Sequence, residues 1–169
     1  MATDRNEDEM RVKVREMISE IGTAIFTTID QEGRLRGRPM RTQKPDQDGR
    51  TLWFFTRTDS PKVAELAKDD RVLLGYADTS SQDYVSIFGH GRVVTDVAQK
   101  KALWSEGLRS WLPDGPESAD VALIAVSIEG AEYWDGISSS LSFAYGYAQA
   151  MVTGKPAPSG ENAKVSFSH

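Results

Sequence analysis

"TAIFTTIDQEGRLRGRPMRTQ" (residues 23–43) is where the fold is first decided. The run 23–30 is β-branched and aromatic, and "QEGR" (31–34) is a turn signal. "LRGRPMRTQ" (35–43) then reads as the returning strand of a hairpin. Upstream, Met10, Val14, Met17, Ile18 and Ile21 recur at helical spacing with charges between them, and Gly22 suits the helix end. Downstream, "KPDQDGR" (44–50) is a loop, "TLWFFT" (51–56) a third strand and 61–68 a short helix. "RVLLGYAD" (71–78) is a nearly continuous apolar strand. "YVSIFGHGRVVTD" (84–96) is a long strand in which Gly89 and Gly91 predict a bulge or sharp bend. Residues 97–111 read as one helix, with Val97, Leu103, Trp104, Leu108 and Trp111 available for a broad packing face. "LPDGPES" breaks it, and "VALIAVSIEGAEYWDG" (121–136) is the most apolar strand. Residues 140–154 fit a short strand or helix. The tail 155–169 is polar and reads as loose, with Phe167 a candidate anchor. Six strands joined by hairpins with single helices inserted are not a βαβ repeat. They predict a small antiparallel barrel with helices outside it, one domain over 1–154 followed by the tail.

The bulk composition bounds the function. The chain has 169 residues, 39% hydrophobic and 27% charged, with a net charge of -5. That suits a single soluble domain and argues against a nucleic-acid-binding surface, which needs clustered cations. The absence of cysteine removes disulfides, thiolate metal sites and a cysteine nucleophile. Two histidines, His90 and His169, make a histidine-rich metal site a poor reading, and no metal is expected. The N-terminus lacks the apolar core of a signal peptide, and no apolar run approaches membrane-spanning length, so a cytoplasmic protein is expected.

The chemistry concentrates at "LWFFTRTDSPKVAEL" (52–66). Ser60 stands where a helix N-cap belongs and Pro61 fits the first helical position. Lys62 in the first turn is misplaced on dipole grounds unless an anion sits beside it. Backbone N–H groups, the hydroxyls of Thr56, Thr58 and Ser60, and the Lys62 ammonium would together suit a phosphate. A capped helix with a solvated lysine is the plainer alternative. Arg34, Arg36 and Arg38 alternate on one face of the second strand, and Arg41 falls on the other. A solvated edge strand explains Arg34 and Arg36 well, and Arg38-Pro39-Met40-Arg41 less well.

The ordered series "GRPMRTQ", "LWFFTRTDSPKVAEL", "DDRVLLGYAD", "YVSIFGHGRVV" and "EYWDG" resembles the FMN-binding split barrels related to pyridoxamine 5′-phosphate oxidase. "WLPDGPES" (111–118), followed by a valine-rich strand and "YWD", resembles their general-stress-protein branch. The resemblance runs from about residue 10 to residue 154. It implies a mainly β fold with peripheral helices, a six-stranded antiparallel split β-barrel, and FMN as cofactor. It implies that Arg38 grips the flavin phosphate, with Pro39, Met40, Arg41, Thr42 and Gln43 running beside the ring. Phe55 and Thr56 match the aromatic–threonine pair ending the third strand, and Ser60 and Lys62 the serine and lysine of the phosphate site. Pro61 replaces an arginine of the oxidase proper. Trp134 matches a tryptophan that reaches the flavin from the second subunit, which implies a homodimer with FMN at the interface. The apolar strands 72–77 and 121–128 also ask for cover on both faces.

The chain departs from the oxidase where the latter carries Arg-Leu-His-Asp-Arg for its substrate. Here the corresponding residues are Ser140-Leu141-Ser142-Phe143-Ala144. The charge-assisted bonds to a phosphorylated pyridoxamine, each about 1.5–3 kcal/mol, are missing. The expectation is an FMN-binding protein, a flavin-dependent oxidoreductase of unknown substrate and not a true pyridoxamine phosphate oxidase, with Arg41 near the pyrimidine edge of the flavin. The alternative is a non-catalytic flavin-binding general stress or redox-sensing protein. Haem is disfavoured by the lack of ligands. Deazaflavin stays open, because its acidic tail would suit Arg34 and Arg36. His90 reads as a barrel-corner residue, and Trp104 and Trp111 as helix-packing aromatics.

Overall fold

Gly22 ends the first helix with φ at 76°, a left-handed conformation that glycine adopts without steric cost, and turns the chain into the sheet. The computed structural model describes residues 2–44, 49–136, 140–155 and 161–167. Helix α1 (Ala2–Ile21) leads into β1 (Thr23–Ile29) and β2 (Leu35–Arg41). Then follow β3 (Thr51–Arg57), α2 (Pro61–Lys68), β4 (Arg71–Asp78) and β5 (Asp83–Val94). Helix α3 (Val97–Leu103), a 3-10 helix (Glu106–Ser110), β6 (Val121–Asp135), α4 (Ser140–Thr153) and β7 (Glu161–Ser166) complete the order.

The strands form one antiparallel sheet in the order β2-β1-β4-β5-β6-β3, with β7 also on β6. It does not close. At its two ends β2 and β3 come side by side without a ladder, joined by the Gln43 N–H donating to the Trp53 carbonyl at 2.8 Å. Six strands were expected, and the seventh comes from the supposed tail. Ala163, Val165 and Phe167 recur at period two, and β7 pairs with β6 from Gly130↔Ser166 to Asp135↔Glu161. Val165 and Phe167 are buried, so the tail is not loose over these residues. β6 is long enough to serve β3 with its first half and β7 with its second, while β5 runs along its other edge.

The predicted bulge is at Phe88/Gly89, where the β5–β6 register shifts. A Cβ on Gly89 would stand 2.1 Å from the Ser127 carbonyl oxygen, so only glycine permits this approach. The core packs α1 (Val14, Met17, Ile18) and Leu66 of α2 onto the inner face of the sheet, where Phe26 meets Phe54 edge-on at 5.1 Å. A smaller cluster of Trp53, Leu123 and Ala125 lies under Leu103 of α3, so the first half of β6 is covered on both faces. β4 is not: Val72, Leu74 and Tyr76 are buried while Leu73 is 46% exposed. The helix expected over 97–111 stops at Leu103. Trp104 takes extended backbone (φ -68°, ψ 139°) and packs edge-on against Phe55 at 5.4 Å, a tertiary contact that outweighs helical continuation. Among the described residues no helix is long and apolar enough to cross a membrane.

Candidate functional site

The gap between the edges of β2 and β3 opens into a cleft of about 950 Å³. Its floor is the edge strand β2, whose peptide groups on this side have no strand partner. Arg38, Pro39, Met40, Arg41 and Gln43 line that side. Phe55 and Thr56 at the end of β3, and Ser60 and Lys62 at the mouth of α2, line the other. Arg38 and Arg41 alternate to opposite faces, as the period of two requires, yet both reach the cleft because it lies at the strand edge.

Pro61 starts α2 at its first position, and Ser60 has the extended backbone of an N-cap, but its hydroxyl makes no cap bond. It accepts instead from Lys62 Nζ at 2.6 Å, and the same ammonium donates to Thr56 Oγ1 at 3.0 Å. Among the described residues Lys62 has no carboxylate within salt-bridge distance. Burial, and then the neighbouring Arg38, push its pKa below the usual lysine value, with Glu65 opposing. The solvated-lysine reading of Ser60-Pro61-Lys62 therefore fails: the lysine is drawn inward beside a second cation. Arg38 itself donates to Thr28 Oγ1 and, at 2.9 Å, to Glu65 Oε2.

Thr42 and Trp134 are not brought to the cleft of their own chain. The Thr42 hydroxyl bonds to the Tyr76 hydroxyl at 2.7 Å, beneath the strand. Trp134 stands opposite Tyr84 on the second half of β6, 39% exposed. Arg34 and Arg36 are engaged elsewhere, because both guanidinium groups bond to the buried Asp30 at 3.0 and 3.1 Å. The Arg34 backbone N–H, ahead of the two guanidinium groups, holds the Asp30 carboxyl down to about 2. These arginines lock the β1–β2 turn, which removes the argument from a free basic strip for an acidic deazaflavin tail. His90 bonds to Asp70 at 2.9 Å on the exposed side of β5 and lines no part of the cleft. The Asp70 hydrogen bond raises its pKa above the ordinary imidazole value.

The roof comes from Ser105, Gly107, Leu108 and Trp111, which local pattern placed in a helix, and from Leu112 at the break after it. Trp104 Nε1 and Arg109 both donate to Glu106, and Arg109 reaches the Pro113 carbonyl, which stiffens the segment internally. Trp111 is 81% exposed at the rim, not a packing residue as its spacing had implied. At the same end Arg57 pairs with Asp59 at 3.0 Å.

A sequence model of the family described as pyridoxamine 5′-phosphate oxidase like matches residues 8–158. The chain belongs to this family. Among solved structures, the general stress FMN/FAD binding protein of Xanthomonas citri is 27% identical, with a TM-score of 0.67 over 78% of this chain and 92% of that one. A protein from Clostridium acetobutylicum, related to general stress protein 26 of B. subtilis and of the pyridoxinephosphate oxidase family, superposes with a TM-score of 0.70. It is 17% identical, with 94% of this chain and 95% of that one covered, a likeness of fold. Protein bli-3 of Neurospora crassa is 28% identical over 143 residues, 79% of this chain and 68% of that protein. The unclosed antiparallel sheet is thus the split barrel of the pyridoxamine 5′-phosphate oxidase-like family.

Proposed function

We propose that the cleft between β2 and β3 holds FMN, with its phosphate on Lys62, Ser60, Thr56 and Arg38 and its ring along Pro39, Met40, Arg41 and Gln43. The observation that carries this reading is the half-buried Lys62 ammonium, set beside Arg38 and hydrogen-bonded, among the described residues, to hydroxyls alone at an uncapped helix mouth. Such a group lowers its free energy when an anion arrives. The name of the 27% identical Xanthomonas citri protein supports a flavin. FMN, when bound, supplies hydride or electron transfer at its ring. The chain holds the phosphate, orients the ring against the β2 edge, and excludes water beneath the 105–112 roof. Arg41 lies on the opposite side of β2 from Arg38 and is the cation placed to favour negative charge at the pyrimidine edge.

The active form is a homodimer. On the outer face of the sheet Ile25, Leu73 and Phe88 are 52%, 46% and 50% exposed. Leu73 stands directly opposite Phe88, and Ile25 opposite Gly75, so the patch is continuous across β1, β4 and β5. An apolar face of this kind asks for a partner surface. Trp134 and Tyr84 are exposed on the same side, and Trp134 reaches the second copy's cleft.

The protein is a flavin-dependent oxidoreductase that does not oxidise pyridoxamine phosphate, since Ser140 to Ala144 supply none of the oxidase's cationic substrate contacts. A redox-sensing or storage role is the second reading. It is favoured by Asp59, the one acidic lining residue of the cleft among the described residues, being tied to Arg57 and so not poised as a general acid or base. Reduction of the FMN-loaded protein by NADH or NADPH, with reoxidation by an added acceptor over many turnovers, supports the enzyme. Bound flavin that is reduced only by dithionite supports the sensor, and efficient formation of pyridoxal phosphate contradicts both.

A further inference from the structure

The cleft cation Arg38 rests on a buried carboxylate. Glu65 is only 6% exposed, and a carboxylate removed from water is costly unless it is paired and hydrogen-bonded. Both conditions are met by a triangle joining three elements. Arg38 on β2 donates from Nη2 to Glu65 Oε2 at 2.9 Å, Arg38 Nη1 donates to Thr28 Oγ1, and the fully buried Thr28 hydroxyl on β1 donates to Glu65 Oε2. A guanidinium has five N–H donors in a rigid plane. Two of them are spent on Thr28 and Glu65, neither of which lines the cleft. This fixes the guanidinium plane of a side chain that does line it. Helix α2 supplies both parts of the device: Lys62 reaches into the cleft from its first turn, and Glu65, three residues on, turns beneath. With one carboxylate against two cations, the trio keeps a net positive charge where the ligand anion would sit.

We propose that Glu65 and Thr28 are positioning residues for phosphate recognition. They hold the Arg38 guanidinium so that the cleft selects a phosphate monoester of the flavin over the same flavin without phosphate. The inference rests on the flavin reading and concerns only the phosphate end of the ligand. FMN and riboflavin share the ring and the ribityl chain and differ by the phosphate, so the ratio of their dissociation constants isolates it.

The experiment measures both constants by fluorescence quenching for the wild-type chain and for Thr28→Val, Thr28→Ser and Glu65→Gln. Thr28→Val keeps the shape of a β-branched strand residue and guards against a Glu65→Gln protein that fails to fold. In Thr28→Val and Glu65→Gln the preference for FMN over riboflavin falls about tenfold, through weaker FMN binding at unchanged riboflavin binding. Thr28→Ser, which retains the hydroxyl, restores it. A preference that stays at the wild-type value in both variants, or an equal loss for both ligands as from a merely loosened fold, overturns the proposal. A wild-type chain that binds neither flavin overturns the underlying flavin reading and the proposal with it, and is told apart by the wild-type titration alone.

Discussion

Replacing Lys62 by methionine separates a binding residue from a structural one. The ammonium makes two bonds to hydroxyls, at 2.6 and 3.0 Å, and none to a carboxylate among the described residues. Burial and Arg38 destabilise its charged form. Methionine keeps the hydrocarbon stem and its packing. The ligand-free variant is therefore as stable as the wild type or slightly more so, because two neutral-acceptor bonds of about 1 kcal/mol each are offset by the relief of a poorly solvated charge. The bound state loses a charge-assisted contact to phosphate worth about 1.5–3 kcal/mol, which weakens FMN between about 10-fold and 150-fold. The sign of the pH dependence follows from the lowered pKa. Between that value and lysine's ordinary 10.5 the unfolded chain holds the proton and the native chain does not, so ligand-free stability rises with pH across this window. FMN affinity falls over the same window, as the ammonium that meets the phosphate is lost. Both trends vanish in Lys62→Met. Urea melts of the ligand-free proteins and flavin-fluorescence titrations at several pH values read all of this. An unchanged FMN affinity together with a loss of more than about 1 kcal/mol in the ligand-free melt would refute the reasoning, since Lys62 would then be a structural lysine.

Gly89→Ala should destabilise by about 3 kcal/mol, because its Cβ would lie 2.1 Å from the Ser127 carbonyl oxygen, a backbone atom that cannot rotate away; an unshifted denaturation midpoint contradicts the closeness of β5 and β6 at the bulge. Phe88→Glu puts a charge in the centre of the exposed apolar face and should give a folded monomer by sedimentation. A variant that remains dimeric moves the interface elsewhere. Trp111→Ala should leave the melting midpoint unchanged, as the side chain is 81% exposed, and weaken flavin binding by the roughly 0.5–1.5 kcal/mol of an aromatic contact. A drop in stability with no change in affinity would make it a packing residue after all.

The elements whose period is local were legible. The hairpin of β1 and β2, the strand-to-helix break at Ser60-Pro61 and the bulge at Gly89 all lie where hydrophobic alternation, capping chemistry and glycine placed them. What escaped depended on contacts distant in the chain. Trp104 leaves its helix for Phe55, so the periodicity of 97–111 concealed the roof of the cleft. Asp30 takes both Arg34 and Arg36, which charge counting had left free. Strand β7 is short and mostly polar, with Ala163 and Val165 its inward signal and Phe167 just beyond its end, and pairing with β6 stabilises it. The Thr28–Arg38–Glu65 triangle joins β1, β2 and α2, and no local motif announces it. The residues expected on the β2, β3 and α2 sides of the cleft came from the family resemblance and from phosphate chemistry gathered at one turn, whereas the 105–112 roof was not expected and Trp134 acquires its proposed role only in a dimer.

The visible absorption spectrum of the purified chain, taken after incubation with FMN and exhaustive desalting, tests the central claim most directly. Retained bands near ~370 and ~450 nm, the chromophore's own signature, in equimolar ratio to the chain and absent from an Arg38→Ala/Lys62→Met double variant, are the predicted result. A colourless wild-type protein after desalting would contradict it, leaving the split barrel without its flavin.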